Sequence, residues 1–248
     1  MYVHRSYIYR GESHIESGTE CQDAALTFAS GYGAGLALAD GHGDPVHSRS
    51  ALGARMATQA VRRVLSSGPL TDPAQACSDI MRLWCTALAQ DIRKNGNISP
   101  AWPARPYGCT CLAAIVSDSG WNALQLGDGI IMVMDEDGNI SVPVPDDPRC
   151  SGNLTTSMCS ATANDWRHAC FDTRARIIVL ASDGLTNCFR DSQSCASAFL
   201  AGIDASCRES GIEATLAMAG EAVQRLAAEN SRDDVSIAIA IDSDAYGS

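Results

Sequence analysis

No stretch of the 248 residues supplies the ~20 consecutive apolar positions of a membrane-spanning helix. The opening Met1-Tyr2-Val3-His4-Arg5-Ser6-Tyr7 also lacks the apolar run of a secretory signal, so a soluble, cytoplasmic chain is expected. Positive charge is scarce: 18 Lys and Arg stand against 29 Asp and Glu, a net charge of −11. Nucleic-acid binding rests on clustered cations that neutralise phosphates, so that class is excluded; bound cations would cancel part of the negative excess. There is no Cys-x-x-Cys pair, and eleven cysteines is an odd number in a long chain without an export signal, which argues for reduced thiols. Cys109 and Cys111 sit two apart in a strand-like run and read as buried thiols rather than zinc ligands. The chain contains no Gly-x-Ser-x-Gly elbow, His-Glu-x-x-His helix or P-loop. No linker or solenoid-period repeat divides it, so residues 1–248 are expected to form one domain.

What the sequence does have is a recurring design. Leu38-Ala39-Asp40-Gly41-His42-Gly43-Asp44 is an apolar strand end that stops in acid, glycine and imidazole. Ile177 to Ala181 runs into Ser182-Asp183-Gly184, and Ser231-Arg232-Asp233-Asp234 leads into Val235-Ser236-Ile237. Three apolar strands thus each carry aspartate at one end. Carboxylates brought together without basic partners repel one another, and hard divalent ions such as Mg²⁺ or Mn²⁺ relieve that repulsion.

Hydrophobic periodicity sets the rest. Strands are predicted at 2–10, 24–30, 36–39, 109–116, 121–126, 130–134, 140–142, 176–182 and 235–241. A hairpin through the Gly31 to Gly35 turn places Asp23 and Asp40 at the same end. Helices are predicted at about 50–66, from a cap at Asp72 and Pro73 to Asn95 and Gly96, and at 194–203 and 212–230. The proline-rich stretch Asn97 to Gly108 reads as an ordered loop. Residues 143–175 lose all periodicity, as functional loops often do. Strands and helix pairs without regular alternation define an α+β layered domain.

Asp-Gly-His-Gly, Ser-Asp-Gly and Ser-Arg-Asp-Asp-x-Ser, in this order, resemble the metal-dependent PP2C-type (PPM) serine/threonine protein phosphatases. Glu20-Cys21-Gln22-Asp23-Ala24 and Leu126-Gly127-Asp128-Gly129 also fit, and the resemblance covers nearly the whole chain. It implies a four-layer αββα sandwich that hydrolyses phosphoserine and phosphothreonine in proteins with a hydroxide bridging two Mg²⁺ or Mn²⁺ ions. It also implies phosphoprotein substrates and a cognate Ser/Thr kinase as partners; a monomer is expected. Asp40 would bridge the ions, the Gly41 carbonyl would add an oxygen, and Asp183 and Asp233 would complete one ion, with Asp234 an alternative to Asp233. Gln22 and Asp23 would hold metal-bound waters, Asp128 with Asp183 a weaker third ion, and residues 143–175 would form a flap that chooses substrates. His42 would protonate the leaving oxygen, a task suited to a near-neutral imidazole. His4, His47 and His168 match no motif and are expected at the surface. Many members carry a phosphate-gripping arginine five residues before the first aspartate; Gly18 stands there, which leaves Arg5, Arg10 and His14 as candidates. The alternative reading is a low-activity regulatory domain of the same fold that binds phosphoprotein.

Overall fold

Small and apolar residues dominate Ala24–Ser30 (β2) and Gly33–Ala39 (β3), which form an antiparallel hairpin with Ala24 opposite Ala39. Cys111–Ser117 (β4) and Gly120–Leu126 (β5) extend it in the same alternating sense. Arg167–Phe171 (β8) closes the edge of this five-stranded sheet, in the order β2-β3-β4-β5-β8. A second antiparallel sheet is built from Tyr2–Tyr9 (β1), Ile130–Asp135 (β6), Ile140–Ser141 (β7), Ala175–Ala181 (β9) and Val235–Asp242 (β10), in the order β1-β10-β9-β6-β7. The computed structural model describes residues 1–95, 102–150 and 154–247.

The two sheets stack face to face. Leu36, Leu38, Leu112 and Ala114 from one interleave with Ile131, Val133, Ile178, Leu180 and Ala238 from the other, all fully or almost fully buried. Helices Ser50–Ser67 (α2) and Pro73–Asn95 (α3) cover the outer face of the first sheet through Ala57, Val61, Ile80 and Trp84. Helices Ser192–Ser210 (α5) and Ile212–Leu226 (α6) cover the second through Leu200, Leu216 and Val223. The inner strands of each sheet are therefore buried on both faces, which explains why β3, β4, β6, β9 and β10 are continuous apolar runs while the edge strands β1 and β8 are not. This is the expected α+β, αββα sandwich.

The α3 cap forms as the sequence indicates, with Asp72 Oδ1 accepting the Gln75 N–H at 3.0 Å. Its predicted stop at Gly96, the first part of the Asn97 to Gly108 loop and residues 151–153 of the predicted flap lie outside the described residues. Helix α6 ends earlier than expected, giving way at Ala227–Ser231 to a π-type turn and then to Arg232 in the left-handed region, φ 59°. The segment 143–175 is not wholly irregular: it contains β8, and Asp147, Arg149 and Asp165 pin it down as an ion-paired cluster. Two short helices, Glu12–Ser17 (α1) and Asp183–Thr186 (α4), carry no clear signature in the sequence. All eleven cysteines are free thiols.

Candidate metal centre

Antiparallel topology sends the acids to one end of the sandwich. Asp23 precedes β2 and Asp40 follows β3, adjacent through the Ala24–Ala39 pair. Asp183 follows β9, next to β10, which begins just after Asp233 and Asp234, and to β6, which follows Asp128. Asp40, Gly41, His42, Asp128, Asp183, Asp233 and Asp234 line a single cavity of about 930 Å³, and Asp23 lies buried beside it.

The electrostatics are those of an acid cluster with little counter-charge, Arg167 and His14 acting only from a distance on Asp128 and Asp233. Among the described residues no lysine or arginine comes within ion-pair distance of Asp23, Asp40, Asp128, Asp183 or Asp233. Burial, reinforced by Asp23, Asp183 and Asp233, pushes the Asp40 carboxyl well above the usual carboxylate range. Burial also pushes Asp23 up to about 7; the Asp234 and Asp183 charges add to this, and the Ser236 and Ser182 hydroxyls beside it partly offset it. Asp233 and Asp128 are raised as well, in each case by burial first and by the Asp183 charge among the lesser causes. Such shifts mark groups that stay ionised together only when a cation joins them.

Unpartnered acceptors point the same way. Among the described residues both carboxylate oxygens of Asp23 and the side-chain oxygen of Gln22 are buried with no hydrogen-bond partner, while Gln22 Nε2 donates to Ser50 Oγ at 2.7 Å. Orphaned oxygens in a buried acidic pocket are the donor set that Mg²⁺ or Mn²⁺ takes. Glycine is required at position 41, where a Cβ would fall 2.6 Å from the Gln22 carbonyl oxygen. The residues present thus fit a hard divalent ion, although among the described residues no three ligating side chains already close on one point.

Asp233 and Asp234 have separate tasks. Asp234 is buried and accepts the backbone N–H of Gly11 at 2.8 Å and of Gln22 at 2.6 Å, and its Oδ1 lies 2.9 Å from His14 Nδ1. Its lone pairs are committed to protein. Among the described residues Asp233 accepts only its neighbour's N–H, from Asp234 to Oδ1 at 2.8 Å, and it lines the cavity.

Several expectations need correcting. Arg5 points to the outer face of its sheet, paired with Glu213 of α6 at 3.1 Å, and does not reach the cavity. Arg10 is exposed and donates to the His14 carbonyl at 2.7 Å. Of the three candidates only His14 lines the cavity, where it is tied to Asp234. Gly18 itself caps α1 in the left-handed conformation at the surface, outside the cavity lining. His47 is not a bystander: it lines the cavity and packs edge-on to His42 with ring centroids 4.9 Å apart. His4 is half-buried between the sheets, its Nδ1 2.9 Å from Thr27 Oγ1. His42 is not near-neutral in acidity, because burial and then His47 push it down to about 4; its buried Nε2 has no partner. The sequence reading also missed Trp102 and Arg105, which line the cavity from the loop before β4.

The chain matches the family model described as Protein phosphatase 2C over residues 10–219. Its fold is similar to that of the catalytic domain of the serine threonine protein phosphatase PstP in complex with two manganese ions, with a TM-score of 0.69 and 17% identity over 97% of each chain. It is also similar to the Mycobacterium tuberculosis phosphatase PstP/Ppp, with a TM-score of 0.68 and 16% identity over 97% of this chain and 98% of that one. Stp1 from Staphylococcus aureus gives 0.66 and 18% over 98% and 95%. A search of the curated proteins finds no match. Fold and sequence together define a metal-dependent protein phosphatase. The chain belongs to the protein phosphatase 2C family.

Proposed function

We propose that this phosphatase hydrolyses phosphoserine and phosphothreonine in proteins, using two Mg²⁺ or Mn²⁺ ions held by the acids of the cavity. The observation that supports this reading is the buried, mutually repelling set of Asp40, Asp23, Asp128 and Asp233, which share Asp183 as a neighbour and form no ion pair with lysine or arginine among the described residues. Bound there, the ions supply positive charge for the phosphoryl oxygens and an activated water as nucleophile.

Asp40 would bridge the ions, with the Gly41 carbonyl beside it, and Asp183 and Asp233 would complete one of them. The commitment of Asp234 to Gly11 and Gln22 supports Asp233 as the direct ligand. Gln22 and Asp23 would order water through their unpartnered oxygens. Asp128, at the β5–β6 turn, would hold a weaker third ion with Asp183. His42 lines the same cavity with a free Nε2 and would hand a proton to the departing serine or threonine oxygen. Neutral at pH 7, its ring would take up a proton from water and pass it to the leaving oxygen within the same turnover, returning to the neutral form.

Turnover of para-nitrophenyl phosphate with Mn²⁺, with and without EDTA and beside Asp183→Ala, tests the reading. Activity in the wild type that EDTA and Asp183→Ala both abolish is the expected result. Calorimetric Mn²⁺ binding without turnover would instead assign the chain to the regulatory alternative.

A further inference from the structure

Arginine is absent at the position five residues before Asp23, and Gly18 in its place faces solvent. Phosphate has to be held by some other cation. Two arginines line the cavity, Arg105 and Arg232. Arg232 is engaged: its guanidinium meets Glu16 at 2.7 Å, and its carbonyl accepts from the Ser13 N–H at 3.0 Å and the Ser13 hydroxyl at 2.7 Å. Arg105 has no acidic partner among the described residues; its guanidinium lies 5.2 Å over the Trp102 ring. An arginine stacked on indole keeps its planar fork of donors pre-oriented and free for a phosphoryl group.

The backbone beneath Arg105 is held firmly. The 3₁₀ turn Arg105–Tyr107 is clamped by Tyr107 Oη donating to Asp91 Oδ2 at 2.5 Å, with Arg49 reaching the same oxygen at 2.6 Å. The Arg49 N–H donates to the Pro106 carbonyl at 2.8 Å, and His47 Nδ1 lies 2.5 Å from the Arg105 carbonyl. Trp102 is fixed in turn by donating its indole N–H to the Cys159 carbonyl at 3.0 Å. The side chains around it are unusual for a surface. Trp102, Val46 and Leu154 are 43%, 39% and 70% exposed, yet all three line the mouth of the acidic cavity. A free cation beside an apolar collar, continuous with the acid cluster, matches a phosphorylated peptide with an apolar neighbour to the phosphoresidue.

Resting on the phosphatase reading, we propose that the 102–108 loop is the substrate wall of this enzyme. Arg105 binds the phosphoryl oxygens in place of the missing arginine, and Trp102, with Val46 and Leu154, receives an apolar side chain adjoining the phosphoserine or phosphothreonine.

Inorganic phosphate titrated calorimetrically into the Mn²⁺-loaded protein reads the first half without turnover. Arg105→Ala should weaken phosphate binding about tenfold or more, Arg105→Lys less, because a lysine keeps the charge but not the fork. Mn²⁺ affinity and melting temperature should stay at wild-type values. Equal phosphate affinity in wild type and Arg105→Ala, no phosphate binding by the wild type, or a larger loss in Arg232→Ala than in Arg105→Ala would each overturn the assignment. Paired phosphopeptides with leucine or serine beside the phosphothreonine read the second half. Wild type should favour the leucine peptide through a lower KM, and in Trp102→Ala the ratio of the two KM values should fall to about one. A preference that survives in Trp102→Ala refutes the collar. A wild type that binds phosphate through Arg105 but never turns over would sink the phosphatase reading and leave the Arg105 assignment standing.

Discussion

Gln22 donates its backbone N–H to Asp234 Oδ2 at 2.6 Å, joining two segments 212 residues apart in sequence. Gly11 and His14 meet the other oxygen of the same carboxylate. Asp234 therefore holds the N-terminal segment against the start of β10, and the orphaned oxygens of Gln22 and Asp23 are placed by that clasp. Substituting Asp234→Ala strands two backbone donors, each costing roughly 1–3 kcal/mol when left unmet. Loss of its repulsion with Asp23 offsets only part of this. We expect a net destabilisation of about 2–4 kcal/mol, which for a chain of this size lowers the melting temperature by about 5–10 °C. Asp234→Asn, which keeps one acceptor oxygen, should lose less. An unchanged melting curve for Asp234→Ala would refute the clasp.

The acid cluster fixes the sign of a pH dependence in metal-free protein. Asp23, raised to about 7, binds more protons folded than unfolded between about pH 4 and pH 7, and Asp40, Asp128 and Asp233, also raised, act in the same sense. Stability contributed by these groups is thus present at the low end of that window and is lost as pH rises through it. The depressed carboxyls of Asp147, Asp165, Asp204 and Asp244 act in the opposite sense below about pH 4, and inside the window the depressed imidazoles of His42 and His4 oppose the four raised carboxyls, which outnumber them. Melting in EDTA should show higher stability at pH 5 than at pH 7.5, and Mn²⁺ should raise the melting temperature more at pH 7.5. A metal-free protein that gains stability steadily from pH 5 to pH 7.5 contradicts the cluster.

Two glycines give opposite expectations. A Cβ on Gly184 would stand 2.1 Å from the Asp234 carbonyl oxygen, so Gly184→Ala has to move backbone beside the cavity. A loss of about 1–3 kcal/mol, with weaker Mn²⁺ binding, should follow in urea unfolding and metal titration. Gly202, within α5, has open space around its would-be Cβ, and Gly202→Ala should stabilise by about 0.5–1 kcal/mol. Equal effects would show that close approach is not what position 184 requires.

His42→Ala separates leaving groups. A phenolate needs little help in departing, whereas an alkoxide must be protonated. The variant should lose about 10- to 100-fold more rate on a phosphothreonine peptide than on para-nitrophenyl phosphate, in parallel assays with saturating Mn²⁺. Equal losses on both would place His42 in packing against His47 rather than in proton transfer.

Much of the scaffold was legible because each sheet is covered on both faces. Runs such as Ile177 to Ala181 and Val235 to Ile241 are then apolar throughout, and the acid that ends each run stands out. The edge strand β8 escaped detection because its residues, Arg167 to Phe171, are mostly half-buried or exposed and owe their conformation to β5 alone. Helix α1 was missed for a related reason: six residues form too little helix to leave a period, and contacts from Ser13 to Arg232 hold it in place. The role of Asp234 was left open beside Asp233, since neighbouring aspartates look alike until the Gly11 and Gln22 amides are seen to claim one of them. Arg105 and Trp102 had no local signature at all. Their place at the cavity depends on Arg49, Tyr107 and Asp91, contributed by three separate segments.

Strand β10 lies between β1 and β9, and is made after every other strand. Until a ribosome has extruded it, β1 has no partner, Asp233 and Asp234 are absent, and the second sheet is split. A nascent chain therefore can close neither the second sheet nor the acid-lined cavity until this late segment slots into the gap.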